Sequence, residues 1–165
     1  MNFNNIDSSI RAEGAEVWVR GLLMVRFGII TSIASRNMPG YDIIAHSPNG
    51  EKNCKISVKY RRAENADGFI IKSDIHYDIF VGVWGCNGKV SGRDFYYGED
   101  CATPRVFIME KKSVDAHLKR KAPMSSINEV TILQLKTIKA QIPEAEDNWR
   151  CILNCLQVSD PESVR

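Results

Sequence analysis

The sequence predicts an α/β fold, a central mixed β-sheet flanked by helices. Three observations carry this. Tyr41-Asp42-Ile43-Ile44-Ala45-His46 and Lys55-Ile56-Ser57-Val58-Lys59-Tyr60-Arg61-Arg62 alternate in the β manner and are joined through Ser47-Pro48-Asn49-Gly50, a strong turn, so they form a hairpin. Ile79-Phe80-Val81-Gly82-Val83-Trp84 has almost no polar position, as befits a strand covered on both faces. Apolar residues at helical spacing lie at both ends of the chain, so helices surround the strands.

In chain order, Ser8 or Ser9 caps a helix running to about Phe27, apolar around most of its circumference and therefore expected to be largely buried. Gly28 ends it, and residues 29–34 read as a strand before the Asn37-Met38-Pro39-Gly40 turn and the hairpin. Residues 63–68 read as a loop and Phe69-Ile70-Ile71 as a short strand. Cys86-Asn87-Gly88 is a turn, followed by an irregular stretch to Tyr97 and a strand over 105–109. A helix is expected over about 111–119. Ser126-Ile127-Asn128-Glu129 is a capping-box pattern ahead of Ile132, Leu135 and Ile138 at helical spacing. Pro143 can start a final helix, whose Trp149, Ile152, Leu153 and Leu156 make a core stripe. The expected organisation is one domain over 1–165, with a core over about 8–110 and a helical part over about 111–158.

At 165 residues the chain is long enough to bury about two thirds of its unfolded surface and to fold without staples. Its 44% hydrophobic and 25% charged residues exclude a disordered or fibrous protein. A net charge of +2 argues neither for nor against nucleic acid, but the distribution is uneven. Lys52, Lys55, Lys59, Arg61 and Arg62 crowd the hairpin, and Lys111, Lys112, Lys119, Arg120 and Lys121 form a second cluster. Cys54, Cys86, Cys101, Cys151 and Cys155 are odd in number and contain no C-x-x-C pair, so neither a disulfide framework nor a zinc site is indicated. The N-terminal residues lack a basic and apolar leader, and the longest apolar stretch, near Leu22, is cut by Arg26. A cytoplasmic protein with no membrane partner is expected.

The alternation sorts the chemistry. Lys55, Ser57 and Lys59 project from one face of the second hairpin strand, while Ile56, Val58 and Tyr60 project from the other. Asp42 begins the first strand, where its carboxylate can lie beside Ser57 and Lys59. Glu13 and Glu16 are neighbours on the first helix, with Arg20 four residues beyond Glu16. Asp74, His76 and Asp78 alternate into the apolar strand and read as a polar strand entry; His46 and His117 stand alone. No Gly-rich phosphate loop and no G-x-S-x-G elbow appears, so a nucleotide cofactor and serine esterase chemistry have no support.

Glu16 on an N-terminal helix, then Gly40-Tyr41-Asp42, then Ile56-Ser57-Val58-Lys59 on a strand, resembles the PD-(D/E)xK nuclease superfamily with its restriction-endonuclease-like fold. The resemblance covers about half the chain, from Glu13 to Trp84. It implies a DNA-cleaving phosphodiesterase dependent on Mg²⁺ or Mn²⁺, of bacterial or mobile-element type. Asp42 would be the main metal ligand and Glu16 a second. Lys59 would sit beside the attacking water or scissile phosphate, and Lys52, Lys55, Arg61 and Arg62 would hold phosphates. One active site cuts one strand, so double-strand cleavage would require a homodimer. Ser57 departs from the pattern, because the superfamily usually has Glu, Asp or Gln two residues before the lysine. Glu64, Asp67 or Asp74 can supply the missing carboxylate. The alternative is a module on the same fold without catalysis, binding nucleic acid or another protein.

Overall fold

The computed structural model describes residues 8–35, 40–62, 68–71, 76–85, 89–91, 94–96, 104–121 and 130–159. It is an α/β arrangement built on a five-stranded mixed sheet flanked by helices. Helix α1 (Ser8–Phe27) leads into strands β1 (Ile30–Ile33), β2 (Ile43–His46) and β3 (Asn53–Arg62), which form an antiparallel meander. Strand β5 (Ile79–Gly85) lies parallel to β3, with Ile56 opposite Ile79 and Arg62 opposite Gly85. Strand β8 (Arg105–Glu110) runs antiparallel to β5, so the order across the sheet is β1-β2-β3-β5-β8.

A parallel pair needs a crossover. Here β4 (Gly68–Ile71) lies within the crossover and belongs to a second sheet, ordered β4-β10-β9, with β9 spanning Lys119–Lys121 and β10 spanning Val130–Gln134. The remaining elements are the paired strands β6 (Lys89–Ser91) and β7 (Asp94–Tyr96), and the short helices α2 (Lys111–His117), α3 (Leu135–Gln141) and α4 (Arg150–Leu156).

Alternation along the strands divides the core into two layers. Ile43, Ala45, Ile56, Val58, Val81 and Ile108 pack with Val19 and Leu23 of α1 and with Trp149, Ile152 and Leu156 at α4. Phe80, Trp84, Phe107 and Met109 project the other way, against Phe69, Leu133 and Ile138 of the second sheet and α3. All seven residues of β5 are buried, as a strand covered on both faces requires.

Several expectations are corrected. Helix α1 has the expected bounds but buries only Ala15, Val19 and Leu23, one i,i+4 stripe on the sheet. Val17, Met24 and Val25 are exposed, so the helix lies on the sheet instead of within the core. Residues 130–134, expected in a helix, are β10, because Val130, Thr131 and Ile132 are β-branched and pair with β4 on one side and β9 on the other. Helix α3 begins only at Leu135. Lys119 belongs to β9 and not to the helix over 111–117, and residues 111–158 therefore contain strands as well as helices. Pro143 opens a single 3-10 turn, Pro143–Ala145, while the final helix starts at Arg150. The irregular stretch expected before Tyr97 contains the β6-β7 pair. The 86–88 turn and the 126–129 capping box lie outside the described residues. No helix among the described residues is long and apolar enough to cross a membrane.

The outer edge of β8 is covered by the segment after α3. Phe107 bridges Glu146, the Asp147 N–H donates to the Val106 carbonyl, and Arg105 grips the Glu146 carboxylate through Nε (2.5 Å) and Nη2 (2.6 Å). The Arg105 hydrogen bonds and charge hold the Glu146 carboxyl below its ordinary value. Its contribution to stability is thus complete above the unfolded value of about 4.3 and disappears as the pH falls through the lowered native value. Both side chains are more than one third exposed, so solvent screening keeps the contribution within about 1 kcal/mol. Urea midpoints of the parent and Glu146→Gln should differ at pH 7 and converge as the pH falls through the lowered native value of Glu146.

Two glycines mark close approaches, Gly82 between the two layers and Gly68 between the paired strands β4 and β10. A Cβ on Gly82 would lie 2.6 Å from Cζ of Phe69 and 2.9 Å from Cε1 of Phe80. A Cβ on Gly68 would overlap the Leu133 carbonyl and approach the Gln134 Cα to 2.7 Å, and that backbone cannot step aside. Gly82→Ala should cost about 1–3 kcal/mol in urea unfolding, and Gly68→Ala more. Equal stability of Gly82→Ala and the parent would contradict this packing.

Candidate active site

The site arises from a mismatch in strand length. Strand β2 pairs with β3 only as far as Ile43 opposite Ile56, while β3 continues beside β5 to Arg62. Asp42, one residue before β2, is still fixed by the backbone: its N–H donates to the Ile56 carbonyl (2.9 Å), and its own carbonyl accepts from the Ala34 N–H (3.0 Å). The next N–H along that edge of β3 belongs to Val58, and it donates to the Asp42 carboxylate at 2.7 Å. A buried strand amide is thereby satisfied by a side chain where the neighbouring strand has run out.

The same oxygen, Asp42 Oδ2, accepts from Ser57 Oγ (3.3 Å) and from Lys59 Nζ (3.3 Å). Lys59 Nζ also donates to the Val58 carbonyl at 3.1 Å, so the ammonium sits between two oxygens. Ser57 is 1% exposed, while the Asp42 and Lys59 side chains keep 24% and 33% of their surface. The cluster therefore has a buried base and an accessible mouth.

The structure brings together three of the four residues expected to act, Asp42, Ser57 and Lys59. Glu16 is half-buried on α1, one residue after the buried Ala15, in the layer covering the opposite face of the sheet from Ser57. Of the expected phosphate-holding residues, Lys52 and Lys55 are exposed and Arg61 is half-buried. Lys55 also lies over the Tyr41 ring, 5.4 Å from its centroid. Arg62 closes β3 with its side chain outside what the structure describes, and Glu64, Asp67 and Asp74 lie outside the described residues. In the second basic cluster, Lys111 pairs with Asp115 (2.5 Å) and Lys112 with Glu110 (2.6 Å), so these two charges are already engaged locally. His46 is held between Ser32 Oγ and Asn53 Oδ1, a satisfied surface histidine.

The donor set suits a hard cation in kind. Asp42, the Val58 carbonyl and Ser57 offer oxygens only, and the Lys59 ammonium already marks a place for positive charge between two of them. Mg²⁺ takes oxygen ligands and retains several waters, so one carboxylate with neutral oxygens is compatible with it. Sequence patterning pointed to the side chains but not to the Val58 amide and carbonyl, whose availability depends on where β2 stops.

A second cluster lies elsewhere. Asp78, just before β5, accepts from the Lys55 N–H at 2.8 Å on the opposite edge of β3. Ligand atoms of Cys54, Asp78 and Cys155 lie within 4.8 Å of one another. No model of a known protein family matches the chain, and a search of curated proteins finds no match either.

Asp42→Ala should destabilise the protein by about 1–3 kcal/mol, because the buried Val58 amide loses its acceptor. Asp42→Asn keeps an acceptor oxygen and gives up only a partly exposed ion pair, so its cost should stay within about 1 kcal/mol. Urea denaturation of the two variants tests the amide contact separately from the charge.

Proposed function

We propose that this protein is a metal-dependent nuclease that hydrolyses DNA phosphodiester bonds at Asp42, Ser57 and Lys59, on a restriction-endonuclease-like arrangement. The observation that carries the reading is the placement of the Lys59 ammonium between the Asp42 carboxylate and the Val58 carbonyl, at an accessible mouth. The order of elements supports it too, with a leading helix, an aspartate at the start of one hairpin strand and a lysine on the next.

In this reading Asp42, with Ser57 and the Val58 carbonyl, would hold Mg²⁺ or Mn²⁺, while Glu16, on the helix that covers the other face of the sheet, stands apart from them. The bound cation would supply charge neutralisation at the phosphate and a more acidic water. Asp42 is held rigidly for this by a backbone amide and a hydroxyl. Lys59 carries positive charge to the mouth, where it stabilises the added negative charge of the pentavalent phosphate. Lys52, Lys55 and Arg61 bind the phosphates of the flanking strand.

A second reading, a nucleic-acid-binding module without catalysis, is favoured by one observation. Ser57 stands where a carboxylate would bring further negative charge, and a single Asp42 oxygen already serves three donors.

The deciding experiment incubates the purified protein with supercoiled, linear duplex and single-stranded DNA in Mg²⁺ or Mn²⁺. Cleavage is expected, falling by at least about 100-fold in Asp42→Asn and Lys59→Met. If every DNA form stays intact while salt-sensitive binding persists and Lys59→Ala weakens it, the nuclease reading fails and the binding module stands. Three phosphate contacts should give a slope of log K against log salt of about −2.7 on duplex DNA, reduced by about 0.9 in Lys55→Ala or Arg61→Ala. No binding at low salt leaves a protein-interaction module.

A further inference from the structure

Cys54, Asp78 and Cys155 come from three separate elements. Cys54 is near the start of β3 and fully buried, Asp78 precedes β5 and is exposed, and Cys155 is half-buried in the last turn of α4. Their ligand atoms lie within 4.8 Å of one another, and a tetrahedral zinc with Zn–S bonds of about 2.3 Å needs sulfur atoms about 3.8 Å apart. Small side-chain adjustments close that gap. Asp78 is oriented for such a role. Its Oδ2 accepts the Lys55 N–H (2.8 Å), its N–H donates to the Lys55 carbonyl (2.9 Å), and its carbonyl accepts from the Lys111 N–H (3.0 Å), which fixes the residue and leaves Oδ1 for a cation.

The cluster opens into a cleft of about 400 Å³ lined by Tyr77, Asp78, Glu110, Cys151 and Cys155, among others. Tyr77 is 5% exposed, and its hydroxyl has no hydrogen-bond partner among the described residues. That hydroxyl lies in the other layer of the core, where Tyr77 packs against Phe80, and the cluster stands on its three ligand atoms alone.

We propose that Cys54, Asp78 and Cys155 form a zinc site, separate from Asp42, with water from the cleft in the fourth position. Two thiolates with one carboxylate select a borderline-soft ion over Mg²⁺, which takes oxygen ligands. The two cysteines hydrogen bond to each other, which lowers the Cys155 thiol and, together with burial, raises that of Cys54. Zinc takes both cysteines as thiolates, so binding displaces their thiol protons and affinity increases with pH. The bound ion ties α4 to the adjoining ends of β3 and β5, and its effect is on stability.

The test uses Co²⁺ as a spectroscopic substitute in the full-length, reduced protein. One equivalent should produce a thiolate-to-cobalt charge-transfer band with the intense visible bands of a tetrahedral site, and one equivalent of Zn²⁺ should bleach them. Cys155→Ser and Asp78→Asn should each lower affinity by more than the roughly 10–100-fold that outer-shell changes cost, and Asp42→Asn should leave the bands unchanged. Zn²⁺ at about 100 times its Kd should raise the thermal midpoint of the parent by about 5–10 °C. No charge-transfer band in the parent overturns the proposal, as do bands that persist in both ligand variants. Cys54→Ser is left aside because that residue is fully buried. Circular dichroism confirms that the two more accessible variants fold.

Discussion

Strand β3 is held on its two edges by partners of unequal reach, and the rest of the structure follows from that constraint. The antiparallel partner β2 stops at Ile56, whereas the parallel partner β5 begins there and continues to Arg62. The edge that β2 vacates holds an amide which cannot remain unpaired in a covered sheet. Asp42 meets that need with its side chain. A carboxylate is therefore fixed beside Ser57 and Lys59 for a structural reason, whatever chemistry is then asked of it.

The opposite edge repeats the arrangement. Asp78 accepts the Lys55 amide where β5 has not yet begun, so each edge of β3 is finished by an aspartate at the point where its neighbour starts or stops. The two carboxylates differ in their company. Asp42 is surrounded by a hydroxyl, an ammonium and a carbonyl, and Asp78 stands near two thiols on the helix-covered side of the sheet. One structural device thus produces a site of hard donors and a site of soft ones within a few residues of the same strand.

The β2–β3 hairpin and the meeting of Asp42, Ser57 and Lys59 on it were legible in the sequence because both are local. Alternation placed Ser57 and Lys59 on one face, and a turn of fixed type returned Asp42 to them. β5 was legible because burial on both faces leaves an unbroken apolar run. Strand β10 was not, since Ile132, Leu135 and Ile138 also fit a helix; only pairing with β4 and β9 makes the first of them a strand residue. The exposure of Val17, Met24 and Val25 was missed because apolar content was read as burial, whereas the sheet offers α1 a single stripe of contact. The Cys54, Asp78 and Cys155 cluster left no spacing signal, because its members meet only after β3, β5 and α4 have packed.

The parallel pairing of β3 with β5 also bears on the order in which the chain assembles. The meander from β1 to β3 closes through short connections and can form early, with Asp42 already beside Ser57 and Lys59. Bringing Ile79 opposite Ile56 requires closure of a longer loop that includes β4, and β4 in turn awaits β10 from far along the chain. The oxygen-lined cluster thus depends on local pairing alone, whereas the thiol cluster depends on contacts far apart in the chain.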